Sequence, residues 1–228
     1  MISSLIISVN WFVYIWAVNS GKVIETSLGY YINPLIVILM GTFILKERLD
    51  SLEKTSILLA AAGVLILTIQ YRQFPWTALF LATSFALYGL CKKLVSVESL
   101  TALGIETLLV SPAALIYLWT QRTELLHSLT SVSPVVVTAL ILAGVFTALP
   151  LLWFAKAART VTFSILGFTQ YLSPTITLLL GIFIFREPFS IGNIASFGLI
   201  WSGLGLFSVV QTRKWHRVRQ AQNIVKGA

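Results

Sequence analysis

The stretch TSLGYYINPLIVILMGTFILKERLDSLEKTSILLAAAGVLIL, residues 26–67, decides the fold because a related sequence recurs downstream without a gap, at the shift that carries Pro34 to Pro174. The positions shared at that shift include residue types that chance seldom aligns: Tyr31 with Tyr171, Pro34 with Pro174, Gly41 with Gly181, Glu47 with Glu187, and Gly63 with Gly203. Shared apolar residues alone would prove little, since membrane helices resemble one another in composition. Proline, glycine and glutamate at one fixed spacing are stronger evidence, and we interpret the two stretches as an internal duplication.

The composition is typical of a membrane protein rather than a soluble domain. Of the 228 residues 57% are apolar and 11% are charged, and the mean hydropathy is +0.89. An apolar run of about 20 residues can cross the hydrocarbon core of a bilayer as a helix. The sequence therefore predicts an all-α polytopic membrane protein with eight transmembrane helices: Ile2–Val18, Thr26–Leu45, Thr55–Ile69, Trp76–Cys91, Leu100–Trp119, Pro134–Ala155, Val161–Phe185 and Ile191–Val210.

The formal charge of +8 does not indicate a nucleic acid partner, because the basic residues are concentrated on one side of the predicted bundle. When the loops are assigned alternately to two sides, the side of the N-terminus holds 12 of the 16 lysines and arginines. Cytoplasmic loops carry the excess of Lys and Arg in membrane proteins. We therefore predict that both termini lie in the cytoplasm.

The two copies of the repeat differ in their number of helices. The second copy, residues 71–210, contains five predicted helices and is followed by a basic tail, residues 211–228. The first copy, residues 1–70, contains three, so the first two helices of a five-helix unit are missing from it. Because an odd number of helices reverses the direction of the chain, the second copy is inverted relative to the first. Inverted repeats place a substrate site between the halves and support alternating access.

Two stretches carry a resemblance to a known family. WFVYIWAVNSGKVIETSLGYYINPLIVILMGTFILKERL, residues 11–49, resembles the RarD branch of the EamA family in the drug/metabolite transporter superfamily. ILGFTQYLSPTITLLLGIFIFREP, residues 165–188, resembles the second half of that branch. The resemblance implies ten helices in two inverted repeats of five, a location in the cell inner membrane, and transport of small molecules. This chain departs from the pattern by its shortened first half.

Two carboxylates are candidates for function. Glu106 lies within the predicted helix Leu100–Trp119, where a charge facing hydrocarbon would cost on the order of 3 kcal/mol at the bilayer centre, so the side chain should face the bundle interior. It could bind a proton or a cationic substrate, or it could be a hydrogen-bonded packing residue. Glu25 lies at the external mouth of the helix Thr26–Leu45. It either contacts substrate or satisfies free backbone N–H groups at the start of its own helix.

Polar side chains precede a proline in both copies. They are Tyr30, Tyr31 and Asn33 before Pro34, and Gln170, Tyr171 and Ser173 before Pro174. A proline leaves the carbonyl four residues earlier without its helical donor, and that carbonyl needs another partner in the bundle. We expect two kinked helices whose polar groups line a pocket at the repeat interface, and we hypothesise that Glu106 faces the same cavity. The alternative is a structural kink with the tyrosines packed between helices.

A third group of candidates lies on the first helix. Asn10, Tyr14 and, less closely, Trp11 share one face, because residues three or four apart are neighbours on a helix. They are predicted to line a pathway for apolar or aromatic solutes. Cys91 is the single cysteine, which excludes an intramolecular disulfide, and no cofactor or metal site is predicted.

These features favour a transporter of small metabolites or drugs, an exporter or permease that works by alternating access between its repeats. The partners implied are a small-molecule substrate and the lipid bilayer, with a homo-oligomer left open. A membrane-embedded enzyme is disfavoured, since no residue at helical spacing from Glu106 completes a catalytic group. The remaining alternative is a transport-incompetent fragment or a membrane-assembly protein.

Overall fold

A computed structural model describes residues 2–123, 132–184 and 191–227 of the chain, and within those ranges the regular structure is entirely helical. The helices are α1 (Ile2–Asn19), α2 (Val23–Phe43), α3 (Ser51–Gln70), α4 (Trp76–Leu94), α5 (Ser99–Thr120), α6 (Pro134–Thr160), α7 (Phe163–Gln170), α8 (Leu172–Phe183) and α9 (Ile191–Gly227). Seven helical stretches among the described residues are long and apolar enough to cross a membrane. The expectation of an all-α polytopic membrane protein is confirmed.

Most of the helix boundaries differ from the predicted ones, and three of the differences change the description of the bundle. The expected helix Val161–Phe185 is divided into α7 and α8 at Tyr171, close to Pro174, which cannot donate a hydrogen bond to the Gln170 carbonyl. Helix α4 runs beyond Cys91 to Leu94, so Lys92 and Lys93 belong to its last turn and not to a loop. Helix α9 continues from Val210 through the basic tail to Gly227, which makes it about 55 Å long at 1.5 Å per residue.

The helix bounds repeat at the shift found in the sequence. Helix α2 begins at Val23 and ends at Phe43, while α7 begins at Phe163 and α8 ends at Phe183. Helix α3 begins at Ser51, and α9 begins at the equivalent position of the second copy, Ile191. The two copies therefore fold into the same succession of helices. The proline positions differ in one respect: α2 is continuous through the buried Pro34, whereas its counterpart is interrupted close to Pro174.

Helices α3 and α9 pack closely against each other, one from each copy, and small residues allow it. A Cβ atom on Gly63 would lie 2.5 Å from the Ser196 carbonyl oxygen, and one on Gly203 would lie 2.6 Å from the Ser56 carbonyl oxygen. Glycine at both positions therefore lets the two backbones approach directly. At nearby Gly198, no atom in the described part of the chain lies within 4 Å of the Cβ position, and this glycine does not take part.

Glu47, in the loop after α2, joins the two copies at one end of the bundle. Its carboxylate accepts hydrogen bonds from the backbone N–H of Phe163 and, at 2.9 Å, from that of Ser164, the first residues of α7. The Ser164 hydroxyl donates to the same carboxylate at 2.7 Å. A Cβ on Gly41 would lie 2.9 Å from this carboxylate, so glycine makes room for it. The related Glu187 lies outside the described residues.

Further contacts tie loops together at the same end. Lys93 Nζ donates to the carbonyl oxygen of Val161 at 2.7 Å, where a cation is favourable beside the end of α6. The guanidinium of Arg159 donates to the carbonyl oxygen of Val97 at 2.7 Å. The loops that the sequence assigns to the side of the N-terminus thus meet at one end of the bundle.

Candidate functional site

A cavity of about 580 Å³ lies between the two copies of the repeat, with walls from α1, α2, α4, α6, α7 and α8. Eight of the residues singled out in the sequence line it: Asn10, Trp11, Tyr14, Tyr30, Asn33, Gln170, Ser173 and Pro174. The structure therefore brings together residues of three groups that are far apart along the chain.

The cavity walls follow the repeat. Tyr30 and Gln170 occupy equivalent positions of the two copies, and both line the cavity. The same is true of Asn33 with Ser173 and, on α1 and α6, of three further pairs: Asn10 with Pro150, Trp11 with Leu151, and Tyr14 with Phe154. Because equivalent positions of both copies face one space, the cavity lies at the interface that relates them.

Sequence reasoning missed the wall formed by α6 and the part contributed by α4. Phe146 and Phe154 of α6 and Phe85 of α4 line the cavity. The repeat could have predicted the α6 wall, since Phe154 is the counterpart of Tyr14. Phe85 had no such signal, because its counterpart would lie before the first residue of the chain.

The two asparagines in the cavity wall hold helix α4 in place. Asn10 Nδ2 donates to the Leu81 carbonyl oxygen at 3.0 Å and to Ser84 Oγ at 2.8 Å. Asn33 Nδ2 donates to the Ala82 carbonyl oxygen at 2.8 Å. Both amide nitrogens are therefore occupied by the fold, and their first role is to join α1 and α2 to α4.

Gln170 is in a different situation. The nitrogen and the oxygen of its carboxamide are both buried, and neither has a hydrogen-bond partner among the described residues. Its backbone carbonyl also lacks the usual helical donor, because the residue four positions later is Pro174. Gln170 thus brings unsatisfied polar groups to a wall that is otherwise largely apolar.

The remaining walls are mainly aromatic and apolar. The rings of Tyr14 and Tyr30 meet edge to face with centroids 6.3 Å apart, and Trp11, Phe85 and Phe154 complete the aromatic surface. None of the nineteen described residues that line the cavity carries a charge. Such a space favours a flat or apolar solute with few polar groups.

Tyr31 and Tyr171, which the sequence analysis placed beside the pocket, do not line it. Tyr31 donates its hydroxyl to the Pro174 carbonyl oxygen at 3.2 Å, and its ring packs on Phe197 with centroids 5.4 Å apart. Tyr171 is fully buried, and its hydroxyl has no partner among the described residues. These two tyrosines are packed between helices, which was the alternative interpretation. The preceding residues, Tyr30 and Gln170, face the cavity instead.

Glu106 also lies outside the cavity, contrary to the hypothesis that it shares a space with Gln170. Its carboxylate pairs with Lys92 Nζ of α4 at 2.7 Å, and the two side chains are 8% and 3% exposed. The Ser3 and Tyr88 hydroxyls donate to the same carboxylate, the latter at 3.4 Å. Lys92 was missed because it was counted as a loop residue, although a lysine in the last turn of a helix can reach a buried carboxylate.

Glu25 is buried at the opposite end of the bundle, and the helix that it serves is α4 rather than its own. Its carboxylate accepts a hydrogen bond from the Thr77 backbone N–H at 2.7 Å, at the first turn of α4. It also borders a smaller pocket of about 360 Å³ together with Lys22 and Gln73. Glu25 is thus separate from the main cavity, where it contributes no lining atom.

Comparison with known proteins places the chain among transporters. The model of the EamA-like transporter family matches residues 1–69 and 75–209. The chain is 47% identical over 220 residues to "Uncharacterized transporter YojE" of Bacillus subtilis (strain 168), covering 96% of this chain and 73% of the relative.

Two further relatives carry the name "Protein RarD". The one from Escherichia coli (strain K12) is 38% identical over 206 residues, which cover 90% of this chain and 70% of the relative. The one from Streptomyces exfoliatus is 39% identical over 228 residues, which cover 97% of this chain and 68% of the relative. The chain is therefore a membrane transporter protein of the EamA-like transporter family and a RarD-like member of it.

Proposed function

We propose that the chain carries a small metabolite or drug-like solute across the cell inner membrane by alternating access between its two repeats, with the substrate held in the cavity at their interface. In this proposal the residues that recognise the solute lie on α1, α2, α6 and α7. Both termini lie in the cytoplasm. Glu25 and Glu106 maintain the helix arrangement and do not contact the solute.

The observation that carries the proposal is the pairing of equivalent positions around the cavity. Tyr30 and Gln170, and likewise Tyr14 and Phe154, contribute to the same space from the two copies. Transporters built from inverted repeats bind their substrates at such an interface, and rocking of one repeat against the other opens the site to either side. A protein with only a structural or assembly role needs no cavity at that position.

Access to the cavity from the two sides of the membrane tests the mechanism. Cys91 is the single cysteine of the chain, so Cys91→Ser followed by Ser173→Cys places one thiol in the cavity wall. A charged, membrane-impermeant thiol reagent is applied to right-side-out and to inside-out vesicles, with a trapped thiol marker in the lumen. Alternating access predicts that position 173 is labelled in both preparations while the marker stays unlabelled.

The matched control is Leu108→Cys in the same background, because Leu108 is 72% exposed on the apolar surface of α5. In the membrane that position should be labelled from neither side. Labelling of position 173 from one side only, or from neither, would contradict alternating access. If the reagent also reached the lumenal marker, the chain would form a permanent opening, the outcome expected of a transport-incompetent fragment.

A further inference from the structure

The Gln170 carboxamide is a buried polar group of the cavity wall whose nitrogen and oxygen have no hydrogen-bond partner among the described residues. The cavity wall also contains Asn10, Asn33 and Thr26, but Asn10 and Asn33 donate to the backbone of α4. The Thr26 hydroxyl donates to the Val23 carbonyl oxygen at 2.8 Å. Gln170 has no such commitment, since its side-chain nitrogen and oxygen are both buried and unpaired among the described residues.

An unpaired buried amide is costly, which points to a role in binding. Leaving a buried donor or acceptor unsatisfied is unfavourable, because the group has given up its hydrogen bonds to water without replacing them. A ligand in the cavity can remove that cost if it presents an acceptor to the amide nitrogen and a donor to the amide oxygen. Because a carboxamide can rotate to exchange its nitrogen and oxygen, the ligand can enter with either order of donor and acceptor.

The rest of the cavity restricts the charge and the shape of that ligand. A charged solute would have to leave water for a space in which none of the described lining residues carries a charge, and the cost of that transfer is high. The rings of Trp11, Tyr14 and Phe154 instead offer flat apolar surfaces on which a planar body can stack.

The geometry points to an uncharged ligand with an aromatic or flat apolar body and an amide-type edge, in which a donor and an acceptor stand side by side, and to Gln170 as the residue that pairs with that edge. Primary amides, lactams and ureides have such an edge. The inference rests on the proposed function, because it takes the cavity between the repeats to be the substrate site. It adds the chemical class of the solute and the residue that selects it.

A set of probes of equal shape tests the inference. Benzamide has the amide edge and no charge. Benzoate and benzamidinium have nearly the same size with a negative and a positive charge, and acetophenone keeps the acceptor but lacks the donor. Binding of each probe to the full chain in lipid nanodiscs is measured by ligand-observed NMR at neutral pH.

Benzamide should bind about tenfold more tightly than either charged probe and measurably more tightly than acetophenone, because a site built to pair hydrogen bonds rejects analogues that lack them. Gln170→Leu should lower the benzamide affinity about tenfold and remove the preference over acetophenone. Gln121→Leu is the matched control, since Gln121 is exposed beyond the end of α5, and it should leave all four affinities unchanged.

A third variant distinguishes two negative results: that Gln170 does not select the ligand, and that the cavity does not bind it. Thr147 lines the cavity and has an intermediate exposure, so Thr147→Phe should fill the space and abolish binding of every probe. If the probes bind, are excluded by Thr147→Phe and yet show no preference for benzamide, Gln170 does not select the ligand, although the cavity remains the site. If Thr147→Phe leaves benzamide binding unchanged, the cavity is not the binding site, and the proposed function falls with the inference.

Discussion

Gly63 and Gly203 make the same contact from opposite sides of the interface between α3 and α9. Gly63 lies against the backbone of Ser196, and Gly203 lies against the backbone of Ser56. The two glycines occupy equivalent positions of the repeat, and so do the two serines. When a residue of one copy contacts a residue of the other, and their counterparts make the same contact in return, the two copies are related by a two-fold axis. Here that relation operates within one chain.

Adding a methyl group at either glycine should weaken the bundle. In Gly63→Ala the new Cβ would lie 2.5 Å from the Ser196 carbonyl oxygen, and because that oxygen is backbone, a helix must shift. Overpacking of this kind costs about 1–3 kcal/mol. We expect Gly63→Ala and Gly203→Ala to lower the unfolding temperature of the detergent-solubilised protein by similar amounts.

Gly205→Ala is the control for that pair, since no atom of the described residues lies within 4 Å of the Cβ position of Gly205. Replacing a glycine within a helix by alanine is otherwise favourable by about 1 kcal/mol. The control should therefore be neutral or slightly stabilising. Equal effects of Gly205→Ala and Gly63→Ala would show that the close approach of α3 and α9 does not contribute to stability.

The repeat explains how much of this structure the sequence could reveal. The shift between Pro34 and Pro174 was visible in the sequence. It predicted the two copies, the order of the helices and a cavity beside Tyr30 and Gln170. Directions of side chains were harder, because neighbouring residues of a helix point to different faces. Tyr31 and Tyr171 were therefore predicted to line the cavity, although each lies one position after the residue that does, Tyr30 or Gln170.

The partners of charged residues could not be predicted in the same way. Glu106 was recognised as a buried carboxylate, but its partner Lys92 lies on another helix, and the assignment of loops to two sides counted that lysine as a loop residue. Glu47 was recognised as a position that the repeat shares with Glu187, but its bonds to Phe163 and Ser164 cross 116 and 117 positions of the chain. Such pairings depend on tertiary packing, which a single sequence does not contain.

Glu47 should stabilise the start of α7. In Glu47→Ala the backbone N–H groups of Phe163 and Ser164 lose their acceptor, which should cost about 1–3 kcal/mol. The expected result is a lower unfolding temperature and faster amide hydrogen exchange in the first turn of α7.

Glu98→Ala is the matched control, because Glu98 is exposed just before α5 and its side chain makes no cap hydrogen bond there. Its effect should stay within about 0.5 kcal/mol. If hydrogen exchange at Phe163 and Ser164 were the same with and without the Glu47 side chain, the capping role would be excluded.

The orientation of the chain gives a prediction that does not depend on stability. Lys214 of α9 pairs with Asp50 at 2.9 Å and with Glu53 at 2.8 Å, so the C-terminal part of α9 and the start of α3 lie at one end of the bundle. The basic residues are concentrated at that end, which predicts that it faces the cytoplasm. Alkaline phosphatase, which is active only in the periplasm, should be silent when fused after Lys226.

A second fusion provides the internal control. The segment around Gln73 lies at the end of the bundle where Glu25 borders the smaller pocket. The same reporter inserted after Gln73 should therefore be active. An active reporter after Lys226 together with a silent one after Gln73 would reverse the orientation and every loop assignment that depends on it.

The ion pair between Lys92 and Glu106 should contribute the largest single effect on the stability of the bundle. Both side chains are almost fully buried, so removing one charge leaves the other without compensation, at a cost of about 3–5 kcal/mol. Glu106→Gln and Lys92→Met should each lower the unfolding temperature and the amount of protein in the membrane. The double variant, with Glu106→Leu and Lys92→Met, should recover most of the loss, because well-packed apolar residues can replace a buried pair.

The same variants decide whether Glu106 acts in transport or in packing. Because the carboxylate pairs with Lys92 outside the cavity, transport per folded molecule should be nearly normal in the double variant, while Glu106→Gln should fail mainly through loss of protein. Asp50→Asn serves as the surface control, since the Asp50 side chain is 65% exposed and its pair with Lys214 should contribute less than about 1 kcal/mol. A double variant that accumulates normally but transports nothing would show that the charges themselves take part in the transport cycle.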